Sequence, residues 1–367
     1  MKRIKVIHLL ETFRLGGMEN LVCQLCASLD KEKFDVEIWA LAEGGVLEAR
    51  AAGLGVKTRV LGLKTYRNPL NVLALAGELS GAGADILHAH GYFCSVFGRL
   101  AGLRARVPSM VTHLHTTFHS LGFRSRLVDR SLNRFTGRVV CVSEAVRESF
   151  FRAGYGGREK FLVIYNGVDE AAYSFPPAPK KDPVLFSAGS LYPHKGHKFL
   201  LEAFKAAAQS VPGLRLRIAG GGPLLEELTA RSRDLGLGGS VEFLGERNDI
   251  PALLSAASLF VLPSVREGFS LACVEAMAAG LPVAAFNSGG VGEVVLDGET
   301  GLLCPAGDSA ALGRAIVRLL KAPAALSAMG ARGRIRVEEK FTLKRMAAEV
   351  TALYEALVPG HGRENSK

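Results

Sequence analysis

The sequence predicts an α/β protein made of two doubly wound domains, each with a parallel sheet covered by helices. Its 367 residues are typical of two domains and are enough to bury two cores. Short β-rich runs alternate with helical stretches in both halves, as in parallel sheets. Between the halves, residues 175–183 hold four prolines in nine positions, which neither a helix nor a central strand tolerates. That segment is the predicted linker.

The first domain is predicted over residues 1–174. Glu11 and Arg14 interrupt the first apolar run, so the chain is expected to open with a strand and not with a secretory signal. A further run starting at Val111 ends in the histidine-rich segment 112–119. The strands are expected at residues 5–10, 34–41, 85–89, 138–143 and 161–165, with a first helix at residues 17–29.

The second domain is predicted over residues 184–341. Ser270 can cap a helix over residues 271–279 that ends at Gly280. Residues 342–358 are predicted to form a C-terminal helix whose apolar stripe must pack on another surface, and the tail 359–367 is expected to be disordered. The strands are expected at residues 184–188, 214–219, 240–244, 259–262 and 283–286.

The amino-acid composition and net charge indicate which classes of binding partner to expect. A net charge of +10 and a pI of about 9.4 favour phosphate-bearing partners: nucleic acid, an anionic lipid surface or a phosphorylated small molecule. No run of about 18 apolar residues occurs, so no membrane span is expected. Six scattered cysteines indicate reduced thiols in the cytosol, and the Cys23 and Cys26 pair is expected to pack in a core and not to bind metal.

Two carboxylates mark the main candidate site. Glu267 follows the predicted strand 259–262, and Glu275 lies one turn into the helix that Ser270 caps. The free N–H groups of a helix N-terminus suit a phosphate, and flanking carboxylates can accept hydroxyl hydrogen bonds. This arrangement favours a nucleotide sugar. The alternative is that Glu267 is a solvated loop charge and Glu275 interacts with the helix dipole.

Loops at other strand ends add further candidates. Lys195, in the loop 189–196, can reach a diphosphate, although an exposed loop lysine would look the same. The loop 220–222 allows close backbone approach to a ligand, but Leu225 breaks the G-x-G-x-x-G pattern. In the first half, Gly16 and Gly17 offer the same close approach.

Histidines 113, 115 and 119 suggest a metal site at first sight. An extended chain places His113 and His115 on one face. No carboxylate lies nearby in the sequence, and each ring has a hydrogen-bonding use at a strand end, so the sequence favours hydrogen bonding. No two aspartates lie two residues apart, and no metal site is expected.

Taken in order, these motifs resemble the retaining glycosyltransferases of family 4, which have the GT-B fold. The resemblance covers nearly the whole chain, and its most specific element is the pair Glu267 and Glu275. The motifs are Gly16-Gly17-Met18-Glu19, His88-Ala89-His90, His115, Val142-Ser143-Glu144, Asn166-Gly167-Val168-Asp169, Lys195-Gly196, Gly220-Gly221-Gly222-Pro223, Pro263-Ser264, the two glutamates, and Gly289-Gly290 with Glu293.

The resemblance implies two facing Rossmann-like domains, with the C-terminal helix packing back across their interface. It implies catalytic roles for His115 at the reacting sugar, Glu267 at donor-sugar hydroxyls and Lys195 at the leaving diphosphate. Glu275 would hold the ribose hydroxyls. The remaining donor-binding positions implied by the resemblance are Gly16, Gly17, Ser190, Gly221, Gly222, Gly268, Phe269, Ser270 and Leu271.

One position departs from the family pattern. Relatives usually carry arginine where this chain has Ser190. A hydroxyl has neither the charge of a guanidinium nor its bidentate hydrogen bonding to phosphate. Either another cation, such as Arg266, replaces it or the donor binds more weakly.

The expected function is metal-independent, retaining transfer from a UDP- or GDP-sugar to a lipid-linked or saccharide acceptor in cell-surface glycan synthesis. The nucleotide sugar is a substrate, and no cofactor is expected. Alternatives are a GT-B nucleotide-sugar epimerase and a non-catalytic basic nucleic-acid binder. The latter would need neither Glu267 nor Glu275, and nucleic acid is not an expected partner.

A basic segment predicts docking on an anionic membrane from the cytoplasmic side. Residues 99–160 hold twelve Lys and Arg against four Asp and Glu, an excess of eight. A solvated basic face that only attracts nucleotide is the alternative. The apolar residues expected to enter the headgroup region are Leu121, Phe123, Leu127, Phe150 and Phe151.

Overall fold

The computed structural model describes residues 2–65, 67–118, 123–175 and 182–358, without the side chains of residues 123–126. The contacts between residues divide the chain into two compact units. The first unit consists of Met1–Gly167 and Leu343–Lys367, and the second consists of Val168–Thr342. Most of the predicted linker and the whole predicted tail, residues 359–367, lie outside the described residues.

The first unit is built on one parallel sheet. The sheet order is 3-2-1-4-5-6-7 in strand number, and every pairing is parallel. The order reverses between the first and fourth strands, and ligands bind open α/β sheets at the carboxyl edge of such a switch point. The strands are β1 (Ile4–Thr12), β2 (Phe34–Glu43), β3 (Lys57–Val60), β4 (Ile86–His90), β5 (Ser109–Leu114), β6 (Arg138–Cys141) and β7 (Phe161–Val163).

The second unit repeats this plan with six strands. The sheet order is 10-9-8-11-12-13, again with parallel pairing. Its switch point lies between the eighth and eleventh strands, so the loops that follow these two strands meet at one edge. The strands are β8 (Val184–Ala188), β9 (Arg215–Ala219), β10 (Val241–Gly245), β11 (Leu259–Leu262), β12 (Val283–Phe286) and β13 (Gly301–Cys304).

Helices cover both sheets, which confirms the predicted α/β class. Ser270 caps a helix as predicted, since its Oγ accepts a hydrogen bond from the Cys273 amide at 3.3 Å. The helices are α1 (Gly17–Ser28), α2 (Val46–Gly53), α3 (Pro69–Ala82), α4 (Gly91–Ala105), α5 (Phe123–Asn133), α6 (Glu144–Arg152), α7 (His197–Ala208), α8 (Leu225–Asp234), α9 (Ile250–Ala256), α10 (Leu271–Ala278), α11 (Val291–Val294), α12 (Ser309–Leu320), α13 (Pro323–Lys340) and α14 (Leu343–Leu357).

The chain enters the second unit earlier than the predicted boundary at residue 174. The Val168 amide donates to the Phe341 carbonyl at 2.9 Å, and Val168 pairs with Thr342 in a parallel bridge. The first unit therefore ends at Gly167. Amino-acid composition reveals the proline-rich stretch. Composition gives no indication that Val168 pairs with a segment more than 170 residues away.

The C-terminal helix α14 belongs to the first unit. It packs beside α1, and the fully buried Tyr354 ring lies edge-on to Phe34, with ring centroids 5.8 Å apart. An ion pair of 2.8 Å joins Lys33 and Glu355 at the surface. The expectation that this apolar stripe packs on another surface is confirmed. Among the described residues, no helix is both long and apolar enough to cross a membrane.

Candidate active site

Two glycine loops meet at the carboxyl edge of the second sheet, one after β8 and one after the neighbouring strand β9. The Leu191 amide donates to the Gly221 carbonyl at 2.8 Å. Gly220 has a φ of +146°, and a Cβ there would overlap the Gly189 carbonyl. A Cβ on Gly222 would come within 2.8 Å of the Leu191 amide nitrogen. Loop packing alone therefore requires glycine at 220 and 222, and ligand binding by Gly221 and Gly222 remains a prediction.

Lys195 and Glu267 are brought together at this edge. The Lys195 Nζ lies 2.7 Å from the Glu267 Oε1 in an ion pair that is mostly shielded from solvent. Lys195 ends a 3₁₀ turn, Pro193–Lys195, and Gly196 follows with a φ of +70°. A Cβ on Gly196 would overlap the Pro263 carbonyl, so this glycine lets the lysine loop press against the loop after β11. An ammonium with three donors retains capacity for a phosphate.

The loop from Glu267 to the start of α10 is buried. Glu267 is 8% exposed, and the Phe269 ring packs edge-on against Phe341 with centroids 5.6 Å apart. The Ser270 hydroxyl is used in capping, as described above, and Leu271 begins the helix. The side chains thus anchor the loop, while the proposed donors from Gly268 to Leu271 are backbone amides, whose role remains a prediction.

Glu275 has a partner that sequence reasoning missed. Burial raises the pKa of the Glu275 carboxyl from its ordinary 4.5 to about 7, and a hydrogen bond from the Tyr173 side chain opposes this rise. Tyr173 ends the 3₁₀ turn Glu170–Tyr173, which packs on α10. Over a hundred residues separate the two positions, so no local sequence pattern links them. A carboxyl with so large a shift is a candidate functional group, and its binding of ribose hydroxyls remains a prediction.

Ser190 and Arg266 are both exposed residues of this unit. Arg266 lies close enough to His194 that its charge helps lower the pKa of that imidazole, after the larger effect of burial. Among the described residues, Arg266 forms no ion pair. Its substitution for the missing arginine at 190 remains a prediction.

In the first unit, Gly16 and Gly17 lie where β1 ends and α1 begins. Gly16 is extended and caps α1, and a Cβ there would overlap the carboxylate of Glu19. Glu19 therefore folds back over the glycine turn, and burial raises the pKa of its carboxyl. A larger residue at position 16 would only require the flexible Glu19 side chain to move. Contact of either glycine with a donor or acceptor remains a prediction.

Five histidines cluster at the switch point of the first unit. They come from β1, β4 and the end of β5, three neighbouring strands, so their side chains meet at one edge. His113 and His115 share a face as expected, with stacked rings 4.4 Å apart, whereas His119 lies outside the described residues. One ring, that of His115, is partly exposed. The other four are fully buried: His8, His88, His90 and His113.

The cluster has the geometry of hydrogen bonds. Two trios have ring nitrogens within 4.8 Å of one another, namely His8 with His88 and His90, and His90 with His113 and His115. Nitrogens on a tetrahedral zinc would stand about 3.3 Å apart and point at the ion. Here the nearest ring nitrogens bond to each other, at 2.9 Å between His8 and His90 and 3.1 Å between His90 and His115.

Family models match both halves of the chain. The model described as Glycosyltransferase Family 4 matches residues 15–172, and the one described as Glycosyl transferases group 1 matches residues 170–336. The chain belongs to glycosyltransferase family 4. Together the two matches reach from the first glycine turn to α13, and the expected family is confirmed.

Relatives of this glycosyltransferase cover between about two thirds and nearly all of its length. The UDP-Gal:alpha-D-GlcNAc-diphosphoundecaprenol alpha-1,3-galactosyltransferase of Escherichia coli is 28% identical over 381 residues, covering 97% of this chain and 98% of that protein. A GDP-mannose-dependent alpha-(1-6)-phosphatidylinositol monomannoside mannosyltransferase of Mycolicibacterium smegmatis is 32% identical over 255 residues, covering 64% and 66%. The structure of Anabaena HepE in complex with UDP-glucose has 25% identity and a TM-score of 0.85, covering 96% and 100%. The predicted GT-B class is confirmed.

The basic segment of the glycosyltransferase is only partly a surface feature. Arg99 is 3% exposed and paired with the buried Asp129. Phe150 is 6% exposed and packs against Phe118 and Tyr155. Their expected contribution to a membrane-facing surface is therefore wrong, because both side chains are buried. Leu121 and the side chain of Phe123 lie outside the part of the chain that the structure describes. Among the described residues of this segment, the exposed large apolar side chains are Leu103, Leu127, Val128, Phe135 and Phe151.

Proposed function

We propose that this glycosyltransferase moves a sugar from a UDP- or GDP-sugar to a lipid-linked or saccharide acceptor, with retained anomeric configuration and without a metal. The observation that carries the proposal is the arrangement of Lys195, Glu267 and Glu275 around the start of α10. A cation, a helix N-terminus and two carboxylates match a diphosphate flanked by sugar and ribose hydroxyls. The activities named for the relatives, galactosyl transfer from a UDP donor and mannosyl transfer from a GDP donor, support this choice.

Each residue then has a distinct role. Glu275 accepts hydrogen bonds from the ribose hydroxyls, and Glu267 accepts them from the donor sugar. As the bond between the anomeric carbon and the diphosphate oxygen breaks, Lys195 stabilises the charge that develops on the diphosphate. The acceptor oxygen forms the new bond on the same face, and its proton passes to the departing diphosphate. Gly16, Gly17 and His115 of the first unit act at the acceptor and the reacting sugar.

The test is a panel of nucleotide sugars followed by thermal shift in the presence of EDTA. We expect one nucleotide class to raise the Tm by mass action, and transfer from that donor to proceed without added metal. The product anomer is then read by NMR. Loss of activity in EDTA with rescue by magnesium would contradict metal independence, and an inverted product would contradict retention. Donor turnover that needs no acceptor would indicate an epimerase.

Replacing Ser190 with arginine tests the departure from the family pattern. We expect Ser190→Arg to tighten nucleoside diphosphate binding about tenfold, because a charge-assisted hydrogen bond replaces one from a hydroxyl. Calorimetry with UDP and GDP measures the change. Ser190→Gln is the control for side-chain size. If Arg266→Ala weakens binding in the wild type while Ser190→Arg has no effect, Arg266 already supplies this cation.

We also propose that the first unit docks on an anionic membrane from the cytoplasmic side. On α5 and beyond it, Leu127 is 57% and Phe135 is 51% exposed. Exposed cations occur in the same stretch of the sequence, and each adds about 1 kcal/mol of attraction on an anionic surface. These cations are Arg130, Arg134, Arg138 and Arg152, whereas Arg158 is paired with Glu148.

Vesicle co-sedimentation tests the docking. We expect binding to vesicles with anionic lipid at low salt and release at high salt, because the attraction is screened. Replacing Leu127 and Phe135 with serine should weaken binding without changing the net charge. Ile335→Ser in the second unit is the matched control, since it removes an exposed apolar side chain elsewhere without changing the net charge. Equal binding to neutral and anionic vesicles, or binding to neither, would contradict the proposal.

A further inference from the structure

The histidine cluster of the first unit forms one unbranched chain of hydrogen bonds that includes Tyr354 of α14. Each ring nitrogen inside the chain has one partner, and the phenol oxygen has two. In order, the links are His113 Nδ1 to His88 Nε2 at 3.2 Å, His88 Nδ1 to Tyr354 Oη at 2.6 Å, Tyr354 Oη to His8 Nε2 at 2.9 Å, His8 Nδ1 to His90 Nε2 at 2.9 Å, and His90 Nδ1 to His115 Nε2 at 3.1 Å.

All six groups are neutral. Burial lowers the pKa of His8 and of His115 to about 3, and lowers the pKa of the three other imidazoles well below the ordinary value. Burial also raises the pKa of the Tyr354 hydroxyl well above its ordinary value. Each imidazole then carries one N–H and the phenol one O–H. Six protons serve five hydrogen bonds, so the sixth lies at one end of the chain.

The two ends differ in their surroundings. The Nε2 of His113 is buried, and it has no hydrogen-bond partner in the described part of the chain. His115 is partly exposed, and its only side-chain hydrogen bond within the described chain uses Nε2. A buried N–H without an acceptor is rare in proteins, and an unpaired acceptor is tolerated more often. The sixth proton therefore belongs on the Nδ1 of His115, where water or a ligand can accept it.

We propose that the chain runs in one direction, with the proton on Nδ1 in all five histidines, so that His115 offers an Nδ1–H donor to a hydroxyl oxygen of the transferred sugar. The ligand role rests on the proposed function, whereas the direction of the chain does not. His8, His88, His90, His113 and Tyr354 are positioning residues that act through His115. In this state His115 Nδ1 cannot accept a proton, which leaves that task to the departing diphosphate.

The hydrogen-bond chain can run in only two directions. In the opposite direction, the proton lies on Nε2 in all five rings. Imidazole in water favours the Nε2–H tautomer, so the two outcomes are distinct. We expect long-range proton–nitrogen NMR of the ligand-free, histidine-labelled protein to show five of its nine histidines as Nδ1–H tautomers. Nε2–H tautomers in the cluster would overturn the proposal. So would metal analysis that finds about one tightly held zinc per chain, with the rings as its ligands.

Two substitutions at His90 test the effect on transfer. The amide nitrogen of asparagine overlies the Nδ1 of histidine, so His90→Asn keeps a donor to His115, whereas glutamine reaches the Nε2 position and loses it. We expect His90→Gln to lower kcat about tenfold with little change in the donor KM. Without the donor from residue 90, His115 is no longer held in place and loses its one hydrogen bond to the reacting sugar. His90→Asn should stay within about threefold of the wild type. Equal rates in two folded variants would overturn the role assigned to the chain.

The two hypotheses fail separately. If the five Nδ1–H signals are observed but the wild type transfers no sugar to any acceptor, the proposed function is wrong and the hydrogen-bond chain stands. If transfer occurs and the signals show Nε2–H, the chain direction is wrong and the function stands.

Discussion

Lys195→Ala should lower kcat by a factor on the order of 10² to 10³, the usual cost of removing one group that stabilises charge developing in a transition state. The donor KM should change much less, because the charge on the diphosphate grows only as the glycosidic bond breaks. Steady-state kinetics with the donor identified by the thermal-shift panel measures both parameters.

Two controls separate this effect from loss of structure or of net charge. Lys198→Ala removes an exposed cation three residues away on α7 and should leave kcat within about twofold of the wild type. Lys195→Ala also leaves Glu267 without its ion-pair partner at a buried position. The double variant Lys195→Ala with Glu267→Gln removes that unpaired charge. Because Glu267 is itself assigned to the donor sugar, the double variant is compared with the single variant Glu267→Gln. If the two had the same kcat, the role of Lys195 in stabilising the diphosphate would be refuted.

Glu275→Gln should weaken binding of the donor by a factor of about 10 to 100, because hydrogen bonds to a charged acceptor contribute about 1.5–3 kcal/mol and each 1.4 kcal/mol is tenfold. The wild type should also bind the donor more tightly as the pH rises from 6 to 8, since the Glu275 carboxyl ionises at about pH 7 and only the carboxylate accepts both ribose hydroxyls. The variant should lack this dependence. Calorimetry with an intact nucleotide sugar avoids titration of a terminal phosphate.

Stability gives an independent check on Glu275. A carboxyl whose pKa is raised on folding, here from 4.5 to about 7, favours the folded state at low pH and loses that contribution as the pH rises through about 7. Glu275→Gln should therefore be at least as stable as the wild type at pH 8, although it binds the donor more weakly. Tyr173→Phe should shift the pH midpoint of donor binding upwards. A less stable Glu275→Gln variant with unchanged donor affinity would remove Glu275 from the site.

Apolar strands were the most predictable part of the fold. The runs at β1, β8 and β11 are buried on both faces, and such runs stand out in a sequence. The edge strand β3 was missed, because three of its four residues are exposed and two are charged. The strand β13 was missed as well, since it has only four residues and begins with Gly301. Edge strands carry less of the apolar pattern on which the prediction depends.

The candidate site was predictable only where chemistry and loop position coincide. Lys195 and Glu267 each follow a strand, and the sheet order brings them together. Tyr173 and Tyr354 carry no such signal, because each acts on a partner more than a hundred residues away. Gly221 and Gly222 were assigned to a ligand, but loop-to-loop contact already requires glycine at 220 and 222. A glycine pattern does not distinguish these two demands.

The position of Tyr354 also bears on how the protein is made. The first unit holds two distant parts of the chain, Met1–Gly167 and Leu343–Lys367. At a synthesis rate of about 5–20 residues per second, the ribosome needs roughly 10–35 s to translate the intervening stretch. During that time His8 and His88 of the nascent chain lack the phenol that joins them. The first unit to emerge from the ribosome is thus the last to be completed, and it is exposed to chaperones and proteases until the final helix arrives.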